Sequence, residues 1–222
     1  MKTLFAFLLS LVVVVGSSFA QCNPYYIMKV GSKWEMTNYN AKGKFQGKQL
    51  NEVKAMETTG TGWSTTLGMK LYDKKNEMVY DKDIDMACDN GTVVLDMTRM
   101  ISEEQMQAYK DMNMKIDMDN IEIPEKLEAG MVLNDGSVTI SGDMPMNITV
   151  NITDRKVEGK ETITTPAGTF ECFKITYSVS TKMVMNIKST GADFIAQGVG
   201  MVRNETYNKS GKLTGYSELT SR

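Results

Sequence analysis

The sequence predicts an all-β protein: a strongly curved antiparallel sheet or partly closed β-barrel, with one short helix near residues 102–114. Three observations carry this expectation. The first is the stretch Glu161–Met183, which reads as strand, tight turn, strand. Pro166-Ala167-Gly168 is turn chemistry, because Pro presets φ and Gly tolerates positive φ. Beyond it, Phe173, Ile175, Tyr177 and Val179 share one side, and Lys174, Thr176, Ser178 and Ser180 the other. That alternation marks a half-buried antiparallel strand. The second is that about eleven or twelve such segments follow each other with short connections, as a curved sheet or barrel requires. The third is that one segment alone breaks the β rhythm.

Residues 1–20 read as a signal peptide. Lys2 is a positive n-region, Leu4–Val15 an apolar h-region too short to span a bilayer comfortably, and Ser18-Phe19-Ala20 a small-x-small cleavage site. Residues 21–222 are then a single β-barrel-like domain, exported to the periplasm or beyond, with no later segment apolar enough to cross a membrane. Gln21 is too large and polar to precede a lipidated cysteine, so soluble export is expected over a lipid anchor at Cys22.

Asn23–Val30 enters extended, and Trp34, Met36 and Tyr39 begin the first clear strand. Asn40–Gly43 turns the chain and Phe45–Met56 returns it. Trp63–Tyr72, Met78–Ala87 and Thr92–Met97 continue the pattern, with Asn90-Gly91 a strong hairpin signal. Ser102-Glu103-Glu104-Gln105 is a capping box for the helix, whose apolar stripe is Met106, Tyr109, Met112 and Met114. Ile121–Leu127, with Pro124, reads as an extended linker. Ala129–Leu133, Val138–Ile140, Met146–Ile152 and Val157–Thr164 read as short strands. Gly198 and Gly200 indicate a bulge or sharp bend. Met201–Tyr207 and Leu213–Leu219 form a last hairpin. Tyr39–Gly47 is echoed by Tyr207–Gly215 and, more weakly, by Tyr72–Met78. One hairpin turn used repeatedly accounts for this.

Composition narrows function. The chain has no histidine, which excludes Ser-His and Cys-His nucleophile pairs and His-ligated metal sites. Its net charge of −2 disfavours nucleic acid as a partner. No phosphate loop, nucleophile elbow or zinc signature occurs, so no enzyme is expected and no cofactor. Three cysteines suit an oxidising compartment, and a Cys22–Cys88 disulfide is expected because it ties the mature N-terminus to the sheet. Cys172 is left as a covered structural thiol on the polar register of its strand. Asp81, Asp83 and Asp85 share one strand face, expected to be solvated; calcium is the other reading.

Nineteen methionines are spread along the chain. The runs Asp111–Met118, Met144-Pro145-Met146 and Met183-Val184-Met185 resemble thioether clusters for Cu(I). Dispersal favours a Met-rich core or a flexible pocket for an apolar ligand.

Three stretches together resemble the TapB-like family of exported bacterial proteins, built on a domain of unknown function. They are Pro24–Trp34, the run Thr-Pro-Ala-Gly-Thr-Phe-Glu-Cys-Phe-Lys-Ile at 165–175, and Gly198-Val199-Gly200-Met201-Val202-Arg203. The resemblance implies an exported, barrel-like β protein without an established activity. The architecture also resembles the lipoprotein-carrier class, which holds acyl chains in an apolar groove. The expectation is a non-catalytic envelope protein, with a lipid or acyl chain held under the helix by Met106, Tyr109, Met112 and Met114. The alternative is a structural or partner-binding envelope protein with a filled barrel.

Overall fold

The computed structural model describes residues 22–26, 28–95, 114–142, 147–182 and 185–222. They form thirteen strands in one antiparallel sheet. In chain order these are β1 (Lys33–Asn40), β2 (Phe45–Thr58), β3 (Gly62–Asp73), β4 (Met78–Asp89), β5 (Thr92–Leu95), β6 (Lys115–Asp119), β7 (Ile121–Ile123), β8 (Gly136–Ser141), β9 (Ile148–Thr165), β10 (Gly168–Lys182), β11 (Asn186–Ala196), β12 (Gly200–Asn208) and β13 (Leu213–Ser221). The spatial order is β6-β8-β9-β10-β11-β12-β13-β1-β2-β3-β4-β5-β7. No helix occurs among the described residues. The helix expected over 102–114 lies outside them except for Met114, which directly precedes β6.

The two edges of this sheet are one piece of chain. β6 pairs with β8 and β7 pairs with β5, and only Asn120 separates β6 from β7. A single segment thus serves both margins and brings the sheet nearly to a closed barrel. Arg155 stitches the gap beside it. Its guanidinium donates to the Asn134 carbonyl, and its Nη2 to the Glu122 carbonyl at 3.1 Å. The sequence predicts a linker over Ile121–Leu127; the structure makes its first three residues an edge strand.

Local chemistry explains the hairpins. Asn40 Oδ1 accepts the backbone N–H groups of Lys42 and Lys44, Asp73 Oδ1 those of Lys75 and Glu77, and Asn208 Oδ1 those of Ser210 and Lys212. Gly43, Asn76 and Gly211 take positive φ at the matching position. The three echoed sequences are one Asx-initiated turn. The strands predicted separately over 146–152 and 157–164 are one strand, β9, irregular near Asp154 with φ 57°. Gly198 lies in the tight β11–β12 turn, where the sequence predicts a sharp bend. The stretch Ala129–Leu133 supplies one isolated bridge, Val132 to Lys156, in place of a strand.

The main core lies inside the barrel and includes Val53, Trp63, Leu67, Val93, Ile175 and Ile195. The N-terminal segment plugs one end. Cys22 is disulfide-bonded to Cys88. Asn23 is fully buried, and its Nδ2 donates to the carbonyls of Gly91 (2.9 Å) and Ile123 (3.1 Å). The ring of Tyr25 meets Phe173 edge to face, with centroids 6.1 Å apart. Residues otherwise free to fray are held by a covalent bond, a saturated amide and an aromatic contact.

The outer face carries ion pairs. Asp81 pairs with Lys70, Asp83 with Lys54 and Glu161 with Lys174. Asp85 accepts from Thr66. The carboxylate row of β4 is thus a charged outer face facing lysines. Cys172 also faces outward in register but is fully buried among Ala192, Phe194, Ala196 and Val202. Burial pushes its thiol up to about 11, as suits an inert structural thiol.

Candidate functional site

A cavity of 640 Å³ lies inside the barrel, within the size range of small-molecule sites. The inward register of each strand builds it. On one side β2, β3 and β4 present Val53, Leu67, Met69, Ile84 and Met86. β1 adds Trp34 and Met36, and the plug segment adds Tyr26 and Met28. Methionine is unbranched and polarizable, so a wall rich in it adapts to the shape of what it holds.

The other side is polar, and its order follows from strand register. Asp193 on β11 is opposite Asn204 on β12, Asn204 opposite Ser217 on β13, and Ser217 opposite Asn38 on β1. All four line the cavity. The row is a cross-strand ladder of hydrogen-bonding side chains, one per strand.

At one end of the row three groups converge. Asn204 Nδ2 donates to Asp193 Oδ1 at 2.6 Å and to the Tyr177 hydroxyl at 2.8 Å. The Tyr177 hydroxyl donates to the same Asp193 oxygen at 3.1 Å. Tyr177 reaches this point by lying across Gly191. A Cβ at Gly191 would come within 2.4 Å of its ring, so only glycine permits the pose. Burial holds the Asp193 carboxyl above the ordinary carboxylate range. The bonds from Asn204 and Tyr177 and the Arg155 charge pull it back in part. Burial, with the neighbouring Asp193 charge, also raises the Tyr177 phenol.

Asn51 faces the cavity from β2 and is 4% exposed. Its Oδ1 accepts from Gln49 Nε2 at 2.7 Å, but its Nδ2 has no partner among the described residues. A buried amide donor left unsatisfied costs about 1–3 kcal/mol, and a hydrogen-bond acceptor held in the cavity would remove that cost.

Of the residues the sequence singles out, Met106, Tyr109 and Met112 lie outside the described residues. Met114 is 9% exposed and packs with Val138 and Ile140 in a separate cluster, not at the cavity. The cavity methionines are Met28, Met36, Met69, Met86 and Met201. They are far apart in sequence and form no motif. The detectable signal is local: Trp34-x-Met36-x-Asn38 and Ile84-x-Met86 place these side chains on one face of a strand. The chemistry available is retention of a molecule with one apolar flank and one hydrogen-bonding flank.

Two solved structures share this architecture over nearly their whole length. One, from Parabacteroides distasonis ATCC 8503, is described as a candidate lipoprotein; it is 27% identical, with a TM-score of 0.73 over 90% of this chain and 99% of that one. The other, from Bacteroides fragilis NCTC 9343, is described as a candidate exported protein with a YmcC-like fold; it is 21% identical, with a TM-score of 0.72 over the same shares. No curated protein matches the chain. Residues 29–219 match the DUF3108-like family model, so the chain belongs to the DUF3108-like family.

Proposed function

We propose that the protein is a non-catalytic, exported component of the cell envelope that holds an amphipathic, lipid-like molecule inside its barrel. The single observation behind this is a cavity that combines an apolar wall, Val53, Leu67, Met69, Ile84 and Met86, with a polar row along Asp193–Asn204–Ser217–Asn38. An acyl chain suits the first side. A head group with a hydrogen-bond acceptor suits the second and gives Asn51 Nδ2 the partner it lacks. The proposal moves the ligand from a groove under residues 102–114 to the barrel interior.

Export is supported by the Cys22–Cys88 disulfide, since such bonds persist in oxidising compartments. The related structures are described as exported or lipoprotein candidates, which agrees. The same bond supports soluble export over a lipid anchor at Cys22, because acylation needs a free thiol. The Pro166–Cys172 turn together with Gly198-Val199-Gly200 supports placing the protein with the TapB-like exported proteins.

Native mass spectrometry of protein purified from the envelope tests the reading. A co-purified lipid is expected, together with uptake of a fluorescent fatty-acid amide by delipidated protein. Leu67→Trp, which fills the cavity, should abolish both while the β-sheet circular dichroism is kept. A clean apo mass with no uptake would instead mean a structural or partner-binding barrel.

A further inference from the structure

The antiparallel order fixes which turns share an end of the barrel. The β1–β2, β3–β4, β10–β11 and β12–β13 turns all lie at the end opposite the Cys22–Tyr25 plug, because the strand registers set Asn40 beside Gly215, Gly47 beside Asp73 and Ser189 beside Asn208. Their charge is unlike that of the whole chain, which is −2. The neighbouring β1–β2 and β12–β13 turns carry Lys42, Lys44, Lys209 and Lys212 and no acid. Beside them, Lys182 closes β10 and Lys188 lies near the start of β11. None of these six has a carboxylate partner among the described residues, whereas lysines lower on the barrel wall, such as Lys54, Lys160 and Lys174, are paired. In the β3–β4 turn Lys74 and Lys75 balance Asp73 and Glu77, and the Asp73 carboxylate is turned onto its own backbone amides.

The same end exposes large apolar side chains. Met78 and Val79 follow the β3–β4 turn, and Met185 and Ile187 flank the first residue of β11. They are between 54% and 72% exposed. Single exposed apolar residues are ordinary. Here they stand as two pairs, one on each side of the two adjacent lysine turns in the order of the sheet.

We propose that this rim docks on an anionic phospholipid membrane surface, the lysines against lipid phosphates and the two apolar pairs entering the headgroup layer. Surface-bound proteins combine these two contributions: basic residues are drawn to the negative surface, and apolar tips gain by leaving water. An acidic protein partner fits less well, because turn tips projecting from a barrel end make a ring of points and not a flat, continuous face. The proposal stands on the rim alone and does not depend on occupancy of the interior cavity.

Co-sedimentation of the purified, delipidated protein with vesicles tests it. Binding is expected to vesicles of phosphatidylglycerol and phosphatidylcholine and not to pure phosphatidylcholine, and it should weaken as salt is raised. The variant Lys42→Gln/Lys44→Gln/Lys209→Gln/Lys212→Gln should bind at least about a hundredfold more weakly, given what each lysine contributes near such a surface. These side chains are exposed in turns, so the fold is retained. Met185→Ser with Ile187→Ser should weaken binding by a smaller factor that salt does not change. Equal binding to both vesicle types, retention of binding by the lysine variant, or binding to soluble polyanions such as heparin but not to vesicles would each overturn the proposal.

Discussion

On β2–β4 the inward register of the barrel carries Val53, Leu67, Ile84 and Met86; on β11–β13 and β1 it carries, beside Met36, Met201 and Leu219, the polar row Asp193, Asn204, Ser217 and Asn38. Backbone geometry is the same on both sides, antiparallel strands with alternating faces. The sides differ in what their inward residues do for stability. Leu67 and Val53 are almost wholly buried and belong to the core that holds the barrel together. Asn204 and Asp193 satisfy each other and Tyr177, so they are tolerated inside but contribute little net burial. A barrel packed only for stability would have no use for the polar row. Its presence beside an unsatisfied Asn51 amide fits a wall shaped for contact with a guest.

The contrast breaks most severely where the plug is tied to the apolar side. Cys22→Ser with Cys88→Ser releases a loop closed over 66 residues and should cost about 4 kcal/mol in urea unfolding. A loss below about 1 kcal/mol would mean that Asn23 and Tyr25 hold the plug alone. Next comes a paired comparison across the cavity. Leu67→Ala should lower stability by about 2–4 kcal/mol, and Asn204→Ala by about 1 kcal/mol. Equal losses would mean that the two sides carry the fold equally. The smallest effect is a pH slope. Because burial raises the Asp193 carboxyl in the folded state, its contribution to stability is greatest below about pH 4, the unfolded value. It declines as pH rises through the folded one. Asp193→Asn keeps the acceptor for Asn204 and Tyr177 and cannot ionise. Its stability relative to wild type should therefore increase from pH 4 to pH 7, measured by urea midpoints. A difference constant across that range would remove the buried carboxyl from the account.

Much of the fold is legible in the sequence because it is local. The turn chemistry at Asn40, Asp73 and Asn208, the alternation from Phe173 to Val179 and the Pro166 hairpin all act over a few residues, and the structure places each as expected. Cys22–Cys88 could be anticipated because the bond would tie the N-terminus expected after signal-peptide removal to the sheet. The cavity is different. Met28, Met69 and Met201 meet only because the sheet curls round, and no spacing along the chain records that meeting. The polar row is equally non-local, since Asp193, Asn204, Ser217 and Asn38 are aligned by register between strands drawn from both chain ends. Sequence reasoning looks for a site where the pattern breaks, and so favours residues 102–114. The cavity lies where the pattern holds.

The segment Lys115–Ile123 has one more implication. A sheet of thirteen strands ordinarily ends in two rows of unpaired amides and carbonyls, each a template on which another copy can grow. Here both margins are short strands from a single segment, with Asn120 between them, and they cover the longer edges that β8 and β5 would otherwise present. Protection against fibrous self-association therefore depends on this short stretch staying in place, and weakening it would expose two sticky margins at once.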